Sequence, residues 1–229
     1  GVFSVLHATP VARELKKLQP GCHITWLVSP PADKLLTENP HIDEILVWDR
    51  RPLDKAFAGF NLPAAYRELK KARALLKARH FDLVLDIQGL FLTGILALLS
   101  GAKRRIGIHE RHEGNPLFMS EMAPNIAPPH KVHRYLSALM PLGFDLATFT
   151  PGLTLQLPAG LDSFAENFWQ TRGIDRQQPL LMVTVRTTWP DKNWEPANFG
   201  QALNALPANV QIVFCGSPGD EVFIKEFVM

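Results

Sequence analysis

Residues 180–206 read LLMVTVRTTWPDKNWEPANFGQALNAL, three segments in one line. Leu180–Val185 is an unbroken apolar and β-branched run, the pattern of a strand buried on both faces. From Glu195 onward, Pro196 stands just inside a helix start and apolar residues recur at helical spacing. Between them Thr187–Trp194 makes a strand-to-helix loop carrying two hydroxyls, a lysine and two indoles. The same order then repeats, with the strand VQIVFCG at 210–216 and a helix predicted over 219–228. This is a βαβ series.

Upstream the alternation continues. A helix predicted at 10–18 leads to strands at 23–28 and 44–49. A long helix follows, with Ala65, Leu69, Ala72 and Leu76 on one face and Arg67, Lys70, Lys71 and Lys77 turned from it. Then come a strand at 81–89, an apolar helix at 90–100, a short strand at 104–108, an irregular stretch to about 130 and the helix of KVHRYLSALMPLG. Strands alternating with helices predict parallel sheet covered on both faces. Residues 145–160 lead out of this unit into a helix at 161–172. The expected organisation is α/β, with a Rossmann-like domain at 1–150 and a second at 151–229. The pattern opens on a helix and stops inside one, so both domains are expected to be incomplete at the termini.

Composition bounds the function. With 46% hydrophobic and 20% charged residues the chain is an ordinary globular protein, and a net charge of +2 gives no argument for nucleic acid. Cys22 and Cys215 form neither a CxxC pair nor a ligand cluster, and the His and Asp spacing matches no metal motif, so no metal is expected. The longest apolar stretch, 89–101, suits a buried helix rather than a bilayer span.

In parallel α/β sheets ligands bind at the carboxyl ends of strands, which puts the loops TTWPDKNW and GSPGDE (216–221) on one rim. Thr187 and Thr188 offer hydroxyls, and with Lys192 and the helix start they suit phosphate oxygens. Asp220 or Glu221 suits ribose hydroxyls. Equally, the threonines can cap the helix, Lys192 can be solvated and GSPGD can be a plain turn.

The segment TTWPDKNWEPANF resembles the Thr-Thr-x-x-x-Lys-x-Trp segment of the ADP-heptose:lipopolysaccharide heptosyltransferases, glycosyltransferase family 9. VLHATPVARELKKLQPGCHITWLV, NPHIDEILVWD, FDLVLDIQGLFLTG, SGAKRRIGI and GSPGDE resemble further family stretches in the same order. The resemblance implies a GT-B fold with the active site between two Rossmann-like halves. It implies metal-free, inverting transfer of heptose from ADP-heptose to Kdo or heptose of the lipopolysaccharide inner core, with no cofactor. The setting would be cytoplasmic, peripheral to the inner membrane. Thr187, Thr188 and Lys192 would hold the donor diphosphate, and Asp220 would face the ribose. A transferase for another nucleotide sugar, or a nucleotide-binding module that has lost catalysis, fits the same residues.

Two departures stand out. Where the family has Gly-Asp, the Asp being its proposed general base, this chain has Phe3 and Ser4, and a serine cannot act as a base at neutral pH as a carboxylate can. His7 is a candidate substitute. The family's Asp-x-Gly-x-x-His donor motif has no counterpart up to Met229. For the acceptor, Arg111 and Arg134 suit Kdo carboxylates or lipid phosphates through bidentate geometry. Gln88 is a candidate sugar contact, Phe91, Leu92 and Phe118 are apolar companions, and Asp86 reads as a structural hydrogen-bonding residue.

Overall fold

The computed structural model describes residues 2–109, 113–126, 130–187, 189–217 and 219–228, the last three through their backbone. The chain divides into two units, Gly1–Pro158 and Ala159–Met229.

The first unit runs α1 (Val2–Leu18), β1 (Thr25–Val28), β2 (Glu44–Val47), α2 (Arg51–Ala58), α3 (Leu62–Lys77), β3 (Leu83–Asp86), α4 (Phe91–Leu99), β4 (Arg104–Gly107), β5 (Glu121–Met122) and α5 (Lys131–Leu136). Every strand pairing is parallel: β1 with β2, Thr25 opposite Glu44, and β3 with β4 with β5, Leu83 opposite Arg104 and Ile106 opposite Glu121. Parallel neighbours need crossover connections: α4 supplies the one from β3 to β4, while residues 29–43, with a 3₁₀ turn at Ala32–Leu35, supply the one from β1 to β2.

The predicted apolar face of α3 is the one it buries. Ala65, Ala72 and Leu76 pack with Leu46 on β2, with Trp48 just after it and with Leu53 of α2, while Leu69 lies against the same cluster. A second cluster joins Ala8 and Val11 of α1 to Ile106, Ile108, Leu136 and Leu139. Each fully buried leucine of this kind contributes roughly 2 kcal/mol. Between these layers Arg79, just past α3, forks onto Glu44 of β2 at 2.7–3.1 Å. The guanidinium holds the Glu44 carboxyl below its usual range.

Three expectations change. The first helix starts at Val2 rather than near residue 10, and carries Pro10 inside it. Proline deprives the Leu6 carbonyl of its helical donor. The Thr9 hydroxyl donates to Leu6 O at 2.8 Å instead, and accepts from the Thr154 amide at 3.0 Å. That second bond, with Arg13 donating to the Thr150 and Gly152 carbonyls, ties residues 150–154 to the first unit. Second, the stretch to 130 contains β5, too short to show a period of its own.

The third change lies in the second unit: α6 (Leu161–Thr171), β6 (Leu180–Thr184), α7 (Pro196–Asn204), β7 (Gln211–Cys215) and α8 (Asp220–Val228). β6 and β7 pair in parallel, Leu180 opposite Gln211 through Thr184 opposite Cys215. Leu180, Leu181 and Met182 are nevertheless exposed, and burial begins only at Val185. The apolar run reports strand propensity, whereas burial requires a layer over each face.

Candidate active site

In the second unit, the loops that follow β6 and β7 meet. Arg186 Nη1 lies 3.7 Å from Asp220 Oδ1, and its guanidinium stands over the Phe223 ring at 5.5 Å. Strand pairing brings Thr184 level with Cys215, so a long side chain two residues past β6 reaches the first turn of α8. Asp220 is set by its own turn. Its Oδ2 accepts from the Ser217 amide at 2.8 Å and the Ser217 hydroxyl at 3.0 Å. A Cβ on Gly216 would fall 2.7 Å from that oxygen, so the carboxylate packs where only glycine leaves room.

The loop after β6 is closed by its own polar groups. Thr187 donates its amide to Asn193 Oδ1 at 2.7 Å and its hydroxyl to the Trp189 carbonyl at 2.9 Å, and the hydroxyl accepts from the Trp189 amide. The Thr187 hydroxyl therefore orders the loop. Thr188 lies outside the described residues. Lys192 ends a short 3₁₀ turn, Pro190–Lys192, with its ammonium exposed 6.0 Å from the Trp189 ring centroid. It has no ion pair among the described residues. Trp194 packs edge-on against Phe199 at 5.1 Å, fixing the loop to α7. The two loops thus carry two cationic groups, Arg186 and Lys192, and one held carboxylate beside Arg186, chemistry that fits a diphosphate and a ribose.

In the first unit the end of β3 is built on a buried polar network. Asp86 accepts from the Gln88 and Gly89 amides at 3.0 and 3.1 Å and from Asn115 Nδ2 at 2.6 Å. Asn115 also donates to the Leu90 carbonyl at 2.8 Å. Gly89, at φ 68°, takes the left-handed conformation that turns the chain into α4. Gln88 is exposed just beyond the strand. Asp86 is structural, as the sequence indicated. Phe91 and Phe118 pack edge-on at 5.2 Å, and Arg105 fixes the same segment by donating to the Phe118 carbonyl at 2.7 Å.

At the start of α1, Ser4 lies in the first turn and His7 one turn later. The His7 ring meets that of His130, the residue capping α5, at 6.0 Å, and His130 meets His133 at 6.2 Å. Arg134, one turn beyond His130, lines a small recess with His109, Pro124, Asn125, Ile126 and Ser137. The structure thus brings His7 against the start of α5, the helix that carries Arg134. Arg111 lies outside the described residues. Among the described residues no group of three or more His, Cys, Asp or Glu side chains could hold a metal.

A match to glycosyltransferase family 9 (heptosyltransferase) covers residues 68–228. The chain belongs to glycosyltransferase family 9. A lipopolysaccharide core heptosyltransferase of Haemophilus influenzae is 26% identical over 220 residues, 95% of this chain and 58% of that protein. Lipopolysaccharide heptosyltransferase 3 of Escherichia coli is 24% identical over 218 residues, 93% of this chain and 61% of that protein. A family 9 glycosyl transferase of Veillonella parvula superposes with TM-score 0.82 at 22% identity, covering 100% of this chain and 63% of that one. Heptosyltransferase WaaC of Escherichia coli with ADP-2-deoxy-2-fluoro heptose gives TM-score 0.72 at 21% identity, covering 99% and 70%. These neighbours identify the α/β fold as GT-B. The chain spans about three fifths of the length of these two curated relatives.

Sequence reasoning missed two side chains that order these loops, Arg186 beside Asp220 and Asn115 beneath Asp86. Arg186 carried a usable signal, a cation directly behind a strand's carboxyl end. Asn115 carried none, since its partner Asp86 is 29 positions away.

Proposed function

We propose that this chain carries an inverting glycosyltransferase activity that moves heptose from ADP-heptose to Kdo or heptose of the lipopolysaccharide inner core. The observation that carries the reading is the joined pair of loops in the second unit, Arg186 with Asp220 and the exposed Lys192, in a member of a heptosyltransferase family. In the reaction an acceptor hydroxyl oxygen attacks the anomeric carbon from the face opposite the diphosphate. The C–O bond to ADP breaks, the configuration inverts, and the hydroxyl proton passes to a base. Lys192 and Arg186 offset the charge that grows on the departing diphosphate, an interaction stronger in the transition state than in the ground state. They supply the cationic charge that a metal provides elsewhere, so transfer is proposed to need none. Asp220 accepts from the adenosine ribose.

Arg134 and Gln88 form the acceptor side in the first unit, with Arg134 suited to a Kdo carboxylate. The work is done at the cytoplasmic surface of the inner membrane, where the lipid-linked acceptor lies. No described helix is long and apolar enough to cross a membrane, which fits a peripheral association. Ser4 in place of a carboxylate favours one rival, a nucleotide-binding module without transfer.

Calorimetric titration tests the donor half. ADP should bind at least about tenfold more tightly than UDP or GDP, and Lys192→Ala should weaken it. Equal affinity for the three nucleotides contradicts an ADP-sugar donor.

A further inference from the structure

α2 and α3 form a hairpin whose inner face is fully committed: Leu53, Ala56, Ala65, Ala72 and Leu76 are buried in one cluster. Its tip is the opposite. Phe60 is 90% exposed, Leu62 70% and Tyr66 68%, and Phe57 is half-exposed beside them. Three of these four are aromatic, and large apolar groups held together in water mark an interaction surface rather than scattered exposure.

Phe60 stands just past the end of α2. It sits at φ 51°, the left-handed region that glycine or asparagine occupies at lower cost. Its amide is fixed by the Phe57 carbonyl at 3.0 Å, and its carbonyl accepts from Leu62. The conformation itself closes α2, the Asn61 amide donating to the Ala56 carbonyl at 2.8 Å; what folding does not require is a large apolar side chain, 90% exposed, where glycine is the usual choice.

Charge decides what that contact is. Residues 51–77 hold seven lysines and arginines against Asp54 and Glu68, in a chain whose formal net charge is only +2. Lys55, Arg67, Lys70, Arg73 and Lys77 have no ion pair among the described residues. At 100° per residue, Leu62, Tyr66, Lys70, Arg73 and Lys77 fall within about 80° of one another around α3. One stripe therefore runs from an apolar aromatic tip into unpaired cations.

We propose that the α2–α3 tip, with this basic stripe behind it, docks the protein on an anionic lipid bilayer. Phe60, Leu62 and Tyr66 enter the interfacial layer and the cations meet lipid phosphates. Two weak signals, apolar insertion and a basic patch, together give stable but reversible binding. The site of action rests on the membrane-surface reading given above; the lipid affinity does not.

The test is flotation of the purified chain with vesicles of phosphatidylglycerol and phosphatidylethanolamine, and with vesicles of phosphatidylcholine alone. The chain should float with the anionic vesicles and not with the neutral ones. Removing the charges of Lys70 and Arg73 together should weaken binding by roughly fivefold per charge. Phe60→Gly should weaken it about tenfold while leaving the melting temperature unchanged or higher, which shows that the fold is intact. Equal flotation with both vesicle types, no flotation with either, or wild-type affinity in these variants overturns the proposal; no flotation would reassign the tip to a protein partner. Heptosyl transfer to a water-soluble Kdo acceptor, measured alongside, reports on the enzymatic reading alone and should be unchanged in Phe60→Gly.

Discussion

Replacing Asn115 by leucine removes a side chain that is 1% exposed and donates to two acceptors, Asp86 Oδ2 at 2.6 Å and the Leu90 carbonyl at 2.8 Å. Asp86 is itself 5% exposed, so no solvent replaces the lost donor. A hydrogen bond to a charged group contributes about 1.5–3 kcal/mol and one to a carbonyl about 1. Against this, Asn115 Oδ1 is buried with no hydrogen-bond partner, and its removal returns about 1 kcal/mol. Leucine keeps the branch at Cγ but its methyls are bulkier than the amide oxygen and nitrogen, so overpacking adds to the loss rather than offsetting it. Before that term, the net loss should be about 1.5–3 kcal/mol. With a urea slope of about 2 kcal/mol/M, the unfolding midpoint of the first unit should fall by about 1 M at unchanged slope. Trp26 and Trp48 lie in that unit and report it by fluorescence. Removing the partner as well, in the double variant Asp86→Leu with Asn115→Leu, should recover part of the loss, because the buried carboxylate is then gone. A midpoint shift below about 0.2 M in Asn115→Leu would refute the claim that this network holds the end of β3.

Lys192→Ala should lower turnover by about a hundredfold or more and change stability by less than about 0.5 kcal/mol, read by steady-state rates and thermal melts; full activity sinks the role. Arg186→Ala severs a long, partly exposed pair and a ring contact, so stability should fall by no more than about 1 kcal/mol while ADP affinity drops by calorimetry; undiminished affinity would remove Arg186 from the site. Acid stability follows two adjacent carboxylates, Asp43 just before β2 and Glu44 at its start. The Ile24 amide and the Lys16 ammonium hold Asp43 below its usual range, and Arg79 does so for Glu44. A depressed folded-state pKa gives stability that is complete above the unfolded value and lost as pH falls through the folded one. Urea midpoints should therefore be level near neutrality and decline below about pH 5, with Glu44→Gln flattening that decline.

How much of this was legible in the sequence depends on how local each cause is. β2, β3 and the buried face of α3 were readable because a strand's apolar run and a helix's 3.6-residue spacing are written within ten or so residues. α1 was cut short at Pro10 because the compensation, Thr9 to the Leu6 carbonyl, is a side-chain bond that no periodicity shows. β5 is two residues long and exists through β4. β6 was correctly read as a strand and wrongly as buried, since composition cannot say whether a second layer covers it. At the rim the general principle of strand ends placed both loops correctly, and the Arg186–Asp220 approach confirms that they meet. What each side chain does there was less legible. Thr187 looked like a phosphate donor by residue type, yet its hydroxyl closes the loop onto Trp189.

The most direct measurement is heptosyl transfer itself: purified chain, ADP-L-glycero-D-manno-heptose and a Kdo-lipid A acceptor, with chelator present and the product's anomeric configuration determined. The account predicts stoichiometric ADP and glycosylated acceptor of inverted configuration, undiminished by chelator. Retention of configuration, or loss of transfer on chelation, would contradict it, and ADP binding without any transfer would leave a nucleotide-binding module in its place.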